Sequence, residues 1–231
     1  MINLITHSII LRIKMLNVLI FFIFLIIYSG ESFAQNTVSI NLFDLQNNEI
    51  TAANRVMTFE NSGDKKYLSL SREREDCLIW LPVEDFQNGT IEIVMRGINE
   101  FQRSFIGIAF HGINDSTYEA VYCRPFNFLA SDSVKRLRAI QYISHPEYTW
   151  EKLRTEQSGV FEKEIIDPPD PAGWFTMKLV IDNKSINALI NNNEAPSLTV
   201  EKLNDLNTGK IGIFVADNSG GDFESIKIEY R

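Results

Sequence analysis

Residues 104–128 read SFIGIAFHGINDSTYEAVYCRPFNF. Two runs of β-branched and aromatic residues flank the turn-forming Asn114-Asp115-Ser116, a pattern that predicts an antiparallel strand pair. In the first run Ile106, Ile108 and Phe110 share one face, and Gly107, Ala109 and His111 share the other. A strand face of glycine, alanine and histidine packs poorly, so it suits a floor that something else approaches closely. The plainer reading puts Gly107 under a loop and His111 at a strand end in solvent. In the second run Tyr118, Tyr122 and Arg124 point one way, against Glu119, Val121 and Cys123.

The same grammar extends in both directions. Short runs such as TVSINLF, KYLSLS, CLIWLP, GTIEIVMRG, LRAIQYIS, WFTMKLVID and KIGIFVAD are separated by NSGD, QNG, DNKS, NTGK and DNSGGD. Ile91, Ile93 and Met95 alternate with Glu92 and Arg96, and DFESIKIEYR alternates with a slip near Ser225 that predicts a bulge. Asp182 to Ser185 makes a hairpin turn. Only SDSVKRLR and VEKLNDLN offer a turn or two of helix, and EIIDPPDPAGW reads as an extended loop because its prolines cannot join a ladder. Many short strands without alternating helices point to an all-β fold, a two-sheet antiparallel jelly-roll sandwich.

Residues 1–34 stand apart. Arg12 and Lys14 precede MLNVLIFFIFLIIY, and Ser32 and Ala34 occupy the small positions of a cleavage site, so the stretch reads as a signal peptide. A retained anchor is the competing reading, but the apolar run is shorter than the ~20 residues a spanning helix needs. Met15 is an alternative start. Residues 35–231 are then one exported domain, periplasmic or extracellular, with no stable membrane span after cleavage. With Arg12, Lys14 and Glu31 set aside, 20 basic side chains face 29 acidic ones. That balance argues against a nucleic-acid partner, which is held through clustered Lys and Arg. Cys77 and Cys123 lie within apolar runs and read as buried free thiols rather than a disulfide.

No phosphate-cradling glycine loop, HExxH, CxxC pair or GxSxG elbow occurs. A metal site would need both His111 and His145 plus carboxylates, so none is expected. What remains is the stretch from His111 to Arg154, which holds four of the seven tyrosines and one of the three tryptophans. Planar aromatics stack on apolar sugar faces, while Arg, Gln, Asn and His bond hydroxyls. The competing structural reading makes the tyrosines core residues and pairs Arg124 and Arg138 with Glu119 or Asp132. Glycoside hydrolysis needs two carboxylates ~5 to ~9 Å apart, and Glu119 is the only acid well embedded here. The run Glu73 to Asp76 reads as a solvated turn.

These residues resemble the concanavalin A-like lectin/glucanase superfamily and, within it, secreted domains related to the 3-keto-disaccharide hydrolase family. The resemblance rests on INLFDL, on Gly107-Ile108-Ala109-Phe110, Tyr118-Glu119 and Gln141 in successive strands, and on Gly209 to Phe214 with Phe223 to Ile228 as paired closing strands. It implies a jelly roll whose concave sheet holds saccharide. Arg124, Tyr122, Asn127, Arg138, Gln141, His145 and Trp150 are then the candidate binding residues, and carbohydrate is the expected partner. Were the domain an enzyme, a glycoside hydrolase or lyase, Glu119 or His111 would be its acid/base. A third reading is a non-catalytic protein-interaction module. Related sandwiches often carry calcium, which places a candidate structural ion near Asp217 or Asp222; no other cofactor is expected.

Overall fold

In the computed structural model, residues 36–47, 50–191 and 193–231 are described; the leader assigned to residues 1–34 lies outside them. Alternation in the centre of the chain sets the first sheet. Strand β5 (Gly89–Arg96) buries Ile91, Ile93 and Met95 completely while Glu92, Val94 and Arg96 are only partly covered. It pairs on one side with β10 (Trp174–Ile181) and on the other with β14 (Ser219–Tyr230). Outward from β10 lie β11 (Ser185–Ile190) and β12 (Leu198–Glu201). Outward from β14 lie β3 (Lys65–Glu73) and β2 (Met57–Ser62), while β1 (Thr37–Asn41) takes the later half of β14. The expected slip in β14 is a register shift between Phe223 and Ser225.

The second sheet runs β4 (Cys77–Trp80), β13 (Lys210–Val215), β6 (Ile106–Asn114), β7 (Thr117–Cys123), β8 (Ile140–His145) and β9 (Glu162–Lys163). Every pairing in both sheets is antiparallel. The inner faces meet in one core: Ile108, Val121 and Ile213 from this sheet, and Ile93, Leu179 and Ile228 from the other, are all fully buried. Burying each such side chain stabilises the fold by about 2 kcal/mol. Cys123 Sγ lies 3.9 Å from Met177 Sδ, a contact that spans the two sheets. Both cysteines are free and buried, and burial pushes the Cys77 thiol up to about 11.

Three local expectations change. Strands β13 and β14 do not pair with each other; the chain crosses from one sheet to the other between them. VEKLNDLN forms no helix, whereas α1 (Ser133–Arg136) appears within SDSVKRLR. A second helix, α2 (Trp150–Glu156), is capped by Thr149, whose side chain accepts from the Lys152 N–H; seven residues are too few to show helical periodicity. The hairpin turn forms as expected, with Asp182 Oδ1 accepting from the N–H groups of Lys184 and Ser185.

Gly107 is required by packing. A Cβ there would lie 2.1 Å from the Val121 carbonyl oxygen and 2.6 Å from Tyr122 Cα, both backbone atoms that cannot swing aside. Gly107→Ala should therefore lower stability by about 3 kcal/mol, measured by denaturant unfolding. Wild-type stability in this variant would contradict the close approach.

Candidate functional site

The site is built on the outer face of the six-stranded sheet. One register row across it reads Phe214, Gly107, Tyr122, Gln141 and Glu162, each opposite the next on the neighbouring strand. The segments 101–105, 124–138 and 149–154 rise beside this face and enclose a cavity of about 660 Å³. Its apolar lining includes Phe105, Tyr122, Phe126, Ile143 and Phe214. Of the residues nominated from sequence, Tyr122, Arg124, Asn127, Arg138, His145 and Trp150 all line it. Gln141 sits immediately behind, fully buried.

Arg124 organises the wall. Only 4% exposed, it donates to the Tyr122 hydroxyl at 2.8 Å, to the Arg138 carbonyl at 2.8 Å and to Gln141 Oε1. Tyr122 also donates to Gln141 Oε1, at 3.0 Å. The guanidinium lies over the Tyr122 ring, 4.9 Å from its centroid, and over Phe105 at 5.5 Å. Neither Glu119 nor Asp132 is its ion partner. That partner is Glu162, itself 4% exposed, which lies 3.8 Å from Arg124, 3.6 Å from Arg138 and 2.7 Å from Arg154. Burial lowers the Arg124 guanidinium, with Arg154 and Arg138 adding to the effect and Tyr122 and Glu162 opposing it. Sequence reading did not single out Glu162, because its two-residue strand carries no periodic signal.

His111 and Glu119 lie elsewhere. Strict alternation places His111 on the Gly107 and Ala109 face, but the β6–β7 register shifts after Phe110 and His111 takes φ +49°. This bulge turns the imidazole inward. Its Nδ1 sits 2.6 Å from Glu119 Oε2 and its Nε2 2.8 Å from the Gln87 carbonyl oxygen, with both side chains fully buried. A carbonyl only accepts, so Nε2 carries a proton. Tyr142 donates to Glu119 Oε1 at 2.5 Å, and Lys202 Nζ lies 3.7 Å from Glu119 Oε2. Neither residue lines the cavity, and neither do Gly107 and Ala109, which are buried against the neighbouring strands; the Gly107, Ala109 and His111 face is not the expected open floor, and the acid/base assignment has no cavity beside it. Glu119→Ala strands a buried imidazole and a buried ammonium; it should cost about 3 kcal/mol in unfolding experiments. Unchanged stability would contradict the structural role.

The end of the cavity at β4 and β13 holds Asp76 and Asp217, while His145, the last residue of β8, lines it from across the sheet. Residues Glu73 to Asp76 are exposed, as the solvated-turn reading expects, and the turn is held in place from beneath. Arg55, 8% exposed, donates to the carbonyls of Arg74, Glu75, Ala216 and Ser219, and so ties the turn to the end of β13. Asp76 Oδ1 accepts from the Asp217 N–H at 2.8 Å, and Asp217 Oδ1 from the Glu75 N–H at 2.6 Å. Asp222 is engaged by Arg96 at 2.6 Å. Calcium takes six to eight oxygen donors, and among the described residues no group of three or more His, Cys, Asp or Glu gathers to hold a metal. These aspartates therefore do not make the expected calcium site by themselves.

His145 stacks on Tyr118, with centroids 5.0 Å apart and planes 10° from parallel. Burial lowers its imidazole below the ordinary 6.5, and Asp76 opposes the shift. The neutral form is favoured in the fold, so this contribution to stability is complete above the unfolded value and is lost as pH falls below it. A ring-proton NMR titration should show a midpoint below 6.5 that moves lower still in Asp76→Asn. A midpoint at or above the ordinary value would contradict the packing.

No protein-family model and no curated protein matches the chain. Solved structures do share its fold. The carbohydrate-binding module CBM66 from Bacillus subtilis aligns at 12% identity with a TM-score of 0.54, over 78% of this chain and 94% of that one. The carbohydrate recognition domain of Emp46p, in metal-free form, aligns at 16% identity and 0.54, over 83% and 94%. The Ca²⁺-bound exoplasmic/lumenal domain of VIP36 aligns at 10% and 0.50, over 79% and 83%. Identities this low establish the fold alone: a two-sheet antiparallel jelly-roll sandwich.

Proposed function

We propose that this chain is an exported carbohydrate-binding domain that takes saccharide in the cavity over its six-stranded sheet, the expected concave face. The observation that carries this reading is the cavity itself. Its volume of about 660 Å³ and its aromatic floor with a few convergent polar groups match what small-ligand sites require. Two solved neighbours of the fold, described as a carbohydrate-binding module and a carbohydrate recognition domain, support it at the level of fold. The sequence pattern of residues 1–34, read as a signal peptide, supports export.

The residues divide into a supporting layer and a contact layer. Arg124, Tyr122 and Gln141 spend their polar groups on one another, so they hold the floor rigid. Trp150 is 45% exposed, with the Arg154 guanidinium 5.0 Å from its ring centroid, and presents an open aromatic surface to an apolar sugar face. Phe101, 56% exposed and also on the lining, does the same. Asn127 donates to the Arg138 carbonyl, but its Oδ1 is the one buried side-chain oxygen or nitrogen without a partner among the described residues. An orphaned acceptor is costly, and a sugar hydroxyl turned toward it offsets that cost. Arg138 and His145 complete the set of hydroxyl partners.

The hydrolytic alternative implied by the 3-keto-disaccharide hydrolase resemblance changes its residues. With Glu119 and His111 buried elsewhere, the carboxylates available on the lining near one another are Asp76 and Asp217; withdrawal from water raises Asp76 above the usual carboxylate range. Turnover of a disaccharide or its 3-keto form, lost in Asp76→Asn, would replace the binding reading with this one.

The purified domain should bind at least one glycan on an array, and Trp150→Ala should weaken that glycan about tenfold in calorimetry, a loss of the size expected for one stacking ring. Failure to bind any glycan would overturn the proposal.

A further inference from the structure

Three guanidinium groups converge on one carboxylate at the β8–β9 end of the cavity. Arg154 holds Glu162 through Nε at 3.1 Å and Nη2 at 2.7 Å, while Arg138 and Arg124 approach it at 3.6 and 3.8 Å. One negative charge against three positive ones leaves an excess in a wall partly withdrawn from water, where like charges repel strongly. Counting Lys135 with Asp132 and Glu151 from the same two segments, the lining here is still net positive. Asp132 is also committed locally, accepting from the Val134 N–H. The acidic pair Asp76 and Asp217 belongs to the β4–β13 end, across the sheet.

The three arginines are not equivalent. Arg124 has spent its terminal nitrogens on Tyr122, Gln141 and the Arg138 carbonyl. Arg138 and Arg154 have not. Neither terminal nitrogen of Arg138 and not Nη1 of Arg154 has a hydrogen-bond partner among the described residues, and these side chains are 38% and 23% exposed. Both line the cavity beside Trp150. Planar donor forks of this kind match a carboxylate geometrically.

We propose that the saccharide taken by this site is acidic, a hexuronate-bearing glycan whose carboxylate seats against Arg138 and Arg154 while its ring lies on Trp150. The inference rests on the carbohydrate-binding reading and narrows it to one ligand class. Glu162 is then the counter-charge that keeps the arginines folded in place without ligand, and it sets how strongly they attract an anion.

The test is calorimetry of the mature domain with oligosaccharides of galacturonate, mannuronate and glucuronate, each beside its methyl ester, and with neutral hexose oligosaccharides. At least one uronate should bind about tenfold more tightly than its ester, as a charge-assisted contact predicts, and added salt should weaken it. Arg138→Gln should bring the acid-to-ester ratio close to one. Glu162→Gln should raise acid affinity severalfold, an outcome that a purely structural role for Glu162 does not produce. Should Glu162→Gln fail to fold, Arg138→Gln decides alone, since Arg138 is half-exposed and its ion contact is long. Equal affinity for acid and ester, or a preference untouched by Arg138→Gln, overturns the inference and leaves the site standing. Binding of none of these glycans overturns the inference, and the wider array decides the site.

Discussion

A guanidinium taken out of water must be surrounded by acceptors and by negative charge, and Arg124 imposes that demand on the six-stranded sheet. Its needs explain the neighbourhood. Gln141 and Tyr122 are locked to it from β8 and β7, the Arg138 carbonyl closes the turn before β8, and Glu162 draws the two-residue strand β9 against the edge. Glu162 in turn holds Arg154, which fixes α2 and with it Trp150 at the cavity rim. A buried ion network is a weak source of net stability, because desolvation offsets the attraction. Its value here is geometric: it holds an aromatic floor and a polar wall in one arrangement before any ligand arrives.

The two faces of this sheet do different work. Inside, the His111, Glu119, Tyr142 and Lys202 cluster closes a polar gap between the sheets. Outside, the same strands carry the cavity. The bulge at His111 is what separates them, because one residue of slippage moves a side chain through the sheet. Without it the imidazole would point to the same side of the sheet as Gly107 and Ala109.

Much of this was legible in the chain. Alternation in TIEIVMRG gives the correct buried face, the slip near Ser225 is a real bulge, and part of the polar and aromatic concentration between His111 and Arg154, from Tyr122 and Arg124 to Trp150 and Arg154, lines one cavity. The failures have physical causes. A histidine at positive φ leaves no mark on a periodic pattern, since the conformation is uncommon outside glycine. Glu162 owes its place to partners far away in sequence, with Arg124 lying 38 positions before it. Charges near a strand look solvated until tertiary contacts exclude water from them. The fold was therefore readable from local rules, while the identity of the site's charged members needed the assembled sheet.

The central claim, that saccharide occupies the outer face of the six-stranded sheet, is tested most directly by amide chemical-shift mapping during titration with a bound glycan. The account predicts perturbations concentrated in residues 101–105, 122–138 and 149–154, with little change along β10 and β11 of the other sheet. Perturbations confined to the eight-stranded sheet, with these segments silent, would contradict it.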